Sequence, residues 1–304
     1  MRGGIDFDIE VALASVRRVA SRRQTRYSPR MPVDIQQPLV VYDWGAIRGL
    51  ARGDSLPTNV SPLLADTVFN EIANSKDPGG FAFKLSSVLS TPQVAARVCV
   101  GRYWGELSQM QTTPSTVLRA EDVVHAEMTA GLRQLLAQDS SDWPERIAYA
   151  ADGTENQEHQ ELRRQFVSLC ESWTAYISGK QGVELSRIRG DVRAQHEWVR
   201  QPELVTEFVV SRNPRYDRDD WRTILTQFPD ELAIGRWARV IVWYALMRSL
   251  NPQGDQHAFE NDWDDAHYAF LASYAERIVT NDKGLRRAIW AVFPSVEVAS
   301  RPAS

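Results

Sequence analysis

Cysteine is scarce in this sequence: Cys99 and Cys170 are the only two, far apart and with no CxxC spacing. That argues against a disulfide framework or a zinc knuckle and makes a reducing cytoplasm the natural compartment. Long apolar runs are missing as well. The longest candidate, "WARVIVWYALM" (237–247), is too short to cross a bilayer and reads as a buried helix. The N-terminus lacks the continuous apolar core of a secretory signal, so a cytoplasmic protein with no membrane partner is expected. Nor does one sign of charge dominate. With 35 Lys and Arg against 39 Asp and Glu, the net charge is −4. This shows no global commitment to nucleic acid, although a local basic rim can steer a polyanion past an acidic centre.

Several catalytic signatures are absent too. There is no GxxxxGK[ST] loop for nucleotide hydrolysis, no GxSxG nucleophile turn, and no Gly-rich dinucleotide turn after "LVVYD". The five histidines, His125, His159, His196, His257 and His267, show neither HxxxH nor HExxH spacing. His267, one turn into an acidic helix, reads as a packed or exposed residue before a general base. The ten tryptophans include Trp173, Trp237 and Trp243 on helical stripes, where core packing is the default over base stacking.

What the chain does have is an ordinary globular composition. It is 43% apolar and 24% charged over 304 residues, enough for one large domain or two smaller ones. Residues 1–37 read as a basic extension, broken by prolines after a helical start. Residues 11–30 carry six Arg and no acid, which suits a solvated helical face or loose arm, an RNA-facing helix, or a transit-like segment. Residues 38–83 open with the apolar run "LVVYD" and a short helix, "WGAIRGLARG". "NVSPLLADTVFNEIANS" (59–75) begins in loop chemistry and turns helical around Asp66 to Ala73. Residues 84–250 read as a mainly helical insertion, with "TTPSTVLRAEDVVHAEMTAGLRQLLAQ" as one helix and linkers at 151–157 and 211–220. Residues 251–304 bring a linker at 251–256, a helix "DDAHYAFLASYAE", a strand "RIVT" and a helix "KGLRRAIWAVF". Strand signals near both ends and a helical middle predict an α/β core with a large helical insertion.

The acids give that core a chemistry. A helix followed by a parallel strand brings the helix start and the strand end to one sheet edge. Asp264 or Asp265 can therefore approach Asp282, and Asp43, at the tip of "LVVY", belongs on the same edge. Glu71 follows on a helix that can lean over it, with Glu106 and Glu127 competing for that role. Carboxylates gathered there repel one another unless a cation intervenes. Mg²⁺ or Mn²⁺ prefers oxygen ligands and is held by a few carboxylates together with substrate phosphate. The plainer alternative makes each acid a helix cap or a surface charge.

The order Asp, Glu, Asp, Asp on these elements resembles the PIN-domain ribonucleases, which include bacterial toxin nucleases. "VVYDWGAIRGL" is similar to that family's first strand and acidic tip, and "DDAHYAFLASYAERIVTNDKGL" to its closing helix, strand and "TND" signature. The likeness covers roughly 38–75 and 258–299. It implies a PIN-like parallel sheet flanked by helices and metal-dependent hydrolysis of RNA, leaving a 3′-hydroxyl and a 5′-phosphate. The resemblance further implies Asp43, Glu71, Asp264 (or Asp265) and Asp282 as catalytic residues. Asp43, Asp264 and Asp282 would hold Mg²⁺ or Mn²⁺, and Thr280, Asn281, Lys283 and Arg286 would meet the substrate. A protein inhibitor of the antitoxin kind fits the same family, and DNA is left open as a substrate. The rival expectation is a non-catalytic, mainly helical interaction module.

Overall fold

The computed structural model describes residues 35, 37–50, 52, 56–57, 59–65, 67–68, 71, 76–89, 91–102, 107, 117–137, 154–181, 185–212, 218–227, 230–251 and 262–300. The Arg-rich stretch 11–30, Glu106 and most of the linker expected at 251–256 lie outside them.

The chain is an α/β protein built on five parallel strands. Strand β1, Leu39–Tyr42, is four buried residues whose paired valines suit a pleated, two-sided core. It runs through Asp43 into helix α1, Trp44–Leu50. Strand β2, Ser61–Ala65, follows, and Thr67, Val68 and Glu71 beyond it are helical. Helices α2, Pro78–Leu89, and α3, Pro92–Ala95, lead to β3, Cys99–Gly101. The order in the sheet is β3-β2-β1 and then, after the long helical region, β4 (Arg277–Val279) and β5 (Glu297–Ala299) on the other side of β1.

Several expectations need correcting. "SPLLA" is a central strand, not a loop. Pro62 is tolerated because β3 pairs with β2 only from Leu63 onward, so the donor Pro62 lacks falls before that ladder begins. The third strand lies inside the stretch expected to be helical, and at three residues it is too short to show a period. The helix expected after Pro114 is two among the described residues, α4 (Ala120–Val123) and α5 (Ala126–Ala137). Between them the backbone leaves helical geometry to cover the free edge of β3. His125 N–H donates to the Val100 carbonyl and Arg102 N–H to the Val123 carbonyl, both at 2.7 Å.

The remaining helices are α6 (Thr154–Gln181), α7 (Leu185–Ile188), α8 (Val192–Val199), α9 (Pro202–Arg212), α10 (Arg218–Gln227), α11 (Ala233–Leu250), α12 (Asp262–Ala272) and α13 (Lys283–Val292). Helix α6 starts at Thr154, inside the linker expected at 151–157. Among the described residues no helix is long and apolar enough to cross a membrane.

Strand residues alternate between two cores. Val40, Tyr42, Leu64, Val100 and Val279 face α1, α2 and α5, through Ile47, Leu50, Leu85, Leu89 and Leu132. Leu39, Val41, Leu63, Cys99 and Ile278 face the larger core of α6, α11, α12 and α13. Helix α1, leaving β1, thus lies on one face and α13, leaving β4, on the other. The sheet changes winding direction between β1 and β4, and it is outside the C-terminal ends of the strands at such a point that α/β sheets generally bind ligands. Asp43 and Thr280 are the first residues beyond those two strands.

Candidate active site

The tips of β1 and β4 are tied directly. Beyond the Tyr42–Val279 pair, Asp43 N–H donates to the Val279 carbonyl at 3.2 Å. The Thr280 hydroxyl, fully buried, donates to Asp43 Oδ2. Asp43 Oδ1 accepts the Ala46 N–H at 2.7 Å, so the same carboxylate caps α1. At 4% exposure it is a buried cap, and burial pushes its carboxyl above the usual range. The Thr280 and Ala46 hydrogen bonds pull it back, while the charge of Asp282 pushes it up again. Trp44 packs its ring on Phe81 of α2, 4.9 Å between centroids.

Helix α12 delivers the next acids. Asp264 is 2% exposed and forms an ion pair with Arg163 of α6. Asp265, half-buried as a residue, has its carboxyl driven well above the ordinary range, first by burial and then by Asp282, Asp262, Asp264 and Asp43. Asp262 is pushed up to about 7 by burial and by Asp282, against the pull of Arg248. Glu71 accepts a hydrogen bond from the Tyr268 hydroxyl at 2.5 Å. Its carboxyl is raised to about 8 by burial first, then by the charges of Asp264 and Asp43. Asp43, Glu71, Asp264, Asp265 and Asp282 therefore share one electrostatic neighbourhood, although 192 residues of sequence lie between Glu71 and the Asp264 that repels it.

Asp282 is exposed and caps α13, accepting the Leu285 N–H at 2.8 Å, while its own N–H donates to Thr280 Oγ1 at 3.0 Å. Asn281 and Lys283 are exposed beside it. Arg286, one turn into α13, lays its guanidinium 5.1 Å from the ring of the exposed Trp290. Glu127 is exposed on α5 and enters none of the acids' electrostatic relationships described above. His267 is a core residue. It is 1% exposed, in hydrogen-bond contact with the Trp263 carbonyl at 3.0 Å and packed against the Trp237 and Trp263 rings.

Three residues near this cluster escaped the sequence. Tyr268 lies four residues after Asp264, a helical turn that would bring it to the same face. Arg163 lies three residues before Phe166, on the apolar stripe of α6, where attention to hydrophobic spacing passes over a charge. Tyr244 of α11 is the third. Its hydroxyl is buried, finds no hydrogen-bond partner among the described residues, and feels the charges of Asp265, Asp262 and Asp282.

The donor set suits a hard divalent cation in kind: several carboxylates, mutually repelling, with a buried hydroxyl left unsatisfied beside them. Among the described residues, no three His, Cys, Asp or Glu side chains are grouped closely enough to clasp an ion as they stand. Protein partners hold them instead: Thr280 and Ala46 on Asp43, Arg163 on Asp264, Tyr268 on Glu71 and Leu285 N–H on Asp282. Compared with known proteins, the chain matches no family model, no curated protein and no solved structure.

Proposed function

We propose that this chain is a PIN-like, metal-dependent nuclease that hydrolyses RNA phosphodiester bonds at the C-terminal tips of β1 and β4. What carries the reading is the Thr280–Asp43 hydrogen bond, which joins the early acid to the late "TND" segment across 237 residues. In this reading Asp43, Asp264 and Asp282 hold Mg²⁺ or Mn²⁺, with Asp265 as the neighbouring alternative to Asp264 and Glu71 as a helper. When bound, the cation offsets charge building on the phosphodiester and lowers the pKa of water at the site.

The chain's own residues have distinct tasks. Thr280 and the Ala46 N–H fix the Asp43 carboxylate in one orientation, so little reorganisation is needed when charge arrives. Tyr268 does the same for Glu71. Glu71, with its raised carboxyl, can hold a proton near neutral pH and give or take one there. Lys283 and Arg286 at the start of α13 offer charge-assisted bonds to phosphate oxygens. Asp43→Asn, assayed with Mn²⁺ on single-stranded RNA, is expected to fold and lose cleavage. Full activity in that variant would refute the assignment.

A second reading has its own observation. Asp43 and Asp282 both cap helices and Asp264 has an ion-pair partner, as in a non-catalytic, mainly helical interaction module. Under the nuclease reading Mn²⁺ raises the melting temperature; under this one it leaves it unchanged.

A further inference from the structure

Arg163 sits on α6, whose buried stripe of Phe166, Cys170, Trp173 and Ile177 packs into the larger core with α11. Phe166, three residues on and therefore on the same helical face, seats its ring 5.4 Å from Trp263 and 6.0 Å from Tyr244. That contact fixes the middle of α6 against the start of α12, with Arg163 directed at Asp264. One guanidinium nitrogen pairs with Asp264 Oδ2. The Arg163 side chain is 25% exposed and that of Asp264 is 3% exposed, so this cation reaches a buried carboxylate from a position open to solvent. Its charge also acts on Glu71, drawing that carboxyl down against the push of Asp264.

One of the acids, Asp264, thus already has a cation, supplied by the helical region and not by the sheet. A guanidinium stays charged at any pH the protein tolerates and cannot relinquish its place by losing a proton. It can leave only by moving, and the solvent-open side of Arg163 gives it room. We propose that Arg163 is the resident counter-cation of the acidic site: it occupies Asp264 while no divalent ion is bound and is displaced when one binds. This rests on reading Asp43, Asp264 and Asp282 as a divalent-cation site. It makes α6 a gate on metal loading, because whatever holds Arg163 down on Asp264 keeps the ion out and whatever draws it off lets the ion in.

The test is calorimetric titration of MnCl₂ into the full-length protein, metal-free at the start, as wild type, Arg163→Met and Arg163→Lys. R163M is expected to bind Mn²⁺ roughly tenfold or more tightly than wild type, within the usual range of coupling between two ligands. R163K, which keeps the charge, stays near wild type. Equal or weaker Mn²⁺ binding by R163M, with wild-type binding measurable, overturns the displacement and leaves the cation site standing. No Mn²⁺ binding by either protein overturns the cation site and the displacement with it. A second measurement needs no folded variant for its result: the Arg163 Nε–Hε resonance of the wild-type protein, followed while Mg²⁺ is added. It is expected to shift in step with binding, and a resonance that stays fixed at Mg²⁺ saturation overturns the proposal.

Discussion

Tyr268 donates its hydroxyl to Glu71 at 2.5 Å, joining residues 197 apart in the chain. The bond links α12 to the helical segment after β2. Tyr268 is 1% exposed, so the donor has no water to replace the carboxylate. Tyr268→Phe removes the hydroxyl with little change of shape. The expected loss is about 1–2 kcal/mol, the range for a buried hydrogen bond to an ionisable partner. Urea unfolding measures it, and a midpoint equal to wild type would show that the bond holds nothing.

Asp282 has a structural role, and a cation-binding role is proposed for it. Two substitutions separate them. Asp282→Asn keeps a side-chain oxygen for the Leu285 N–H and should keep the melting temperature while losing Mn²⁺ affinity. Asp282→Ala should lose both, with a stability cost of about 1 kcal/mol for the missing cap. If D282N binds Mn²⁺ as wild type does, Asp282 is a cap and nothing more.

The acids also set a pH dependence. Glu71 and Asp262 are raised to about 8 and about 7, from ordinary values of 4.5 and 3.8, and Asp43 and Asp265 move the same way. Each holds its proton more tightly in the folded protein than in the unfolded chain. Their contribution to stability is therefore complete below the unfolded values and is lost as pH rises through the folded ones. In metal-free protein the urea midpoint should fall from pH 5 to about pH 8 and then level. Mn²⁺ should flatten the decline, because a dication favours the deprotonated carboxylates. A midpoint that stays level or climbs without metal would contradict these shifts. For Asp230 burial pushes up, but its Arg239 and Arg200 partners outweigh it and lower the carboxyl, so its contribution runs in the opposite sense: complete above its ordinary 3.8 and lost as pH falls below that.

Arg239 of α11 is 2% exposed and pairs with Asp230, which is half exposed. Asp230→Ala leaves a guanidinium buried without its carboxylate and should cost about 2 kcal/mol, less than the 3–5 of a fully buried pair because water reaches Asp230. Arg239→Met removes the charge and keeps most of the volume, so it should cost less than D230A. Paired unfolding curves decide this. The reverse order would mean that Arg239 holds the core by its hydrogen bonds rather than tolerating burial through Asp230.

The elements that carry the acids at the β1 and β4 tips were legible because each carries its own local signal. "LVVY" is a continuous apolar run, "RIVT" ends at a capping Asp282, and α13 begins after that cap. The missed strands lacked such signals. Pro62 in "SPLLA" reads as a breaker until the register shows that β3 starts one residue later, and "CVG" is too short to have a period. Among the site residues, acids at strand tips were visible because a charge there is costly without a partner. Arg163 was not, because the residue it pairs with is 101 positions away and no spacing rule connects them.

A crystal of the full-length protein soaked in MnCl₂, with anomalous scattering collected at the manganese edge, bears on all of this at once. The cluster at the β1 and β4 tips should hold manganese, with Asp43 and Asp264 or Asp265 among its ligands and Arg163 withdrawn from Asp264. Saturating Mn²⁺ that leaves no peak there, with Arg163 still paired to Asp264, would contradict the assignment of these carboxylates to a hydrolytic centre.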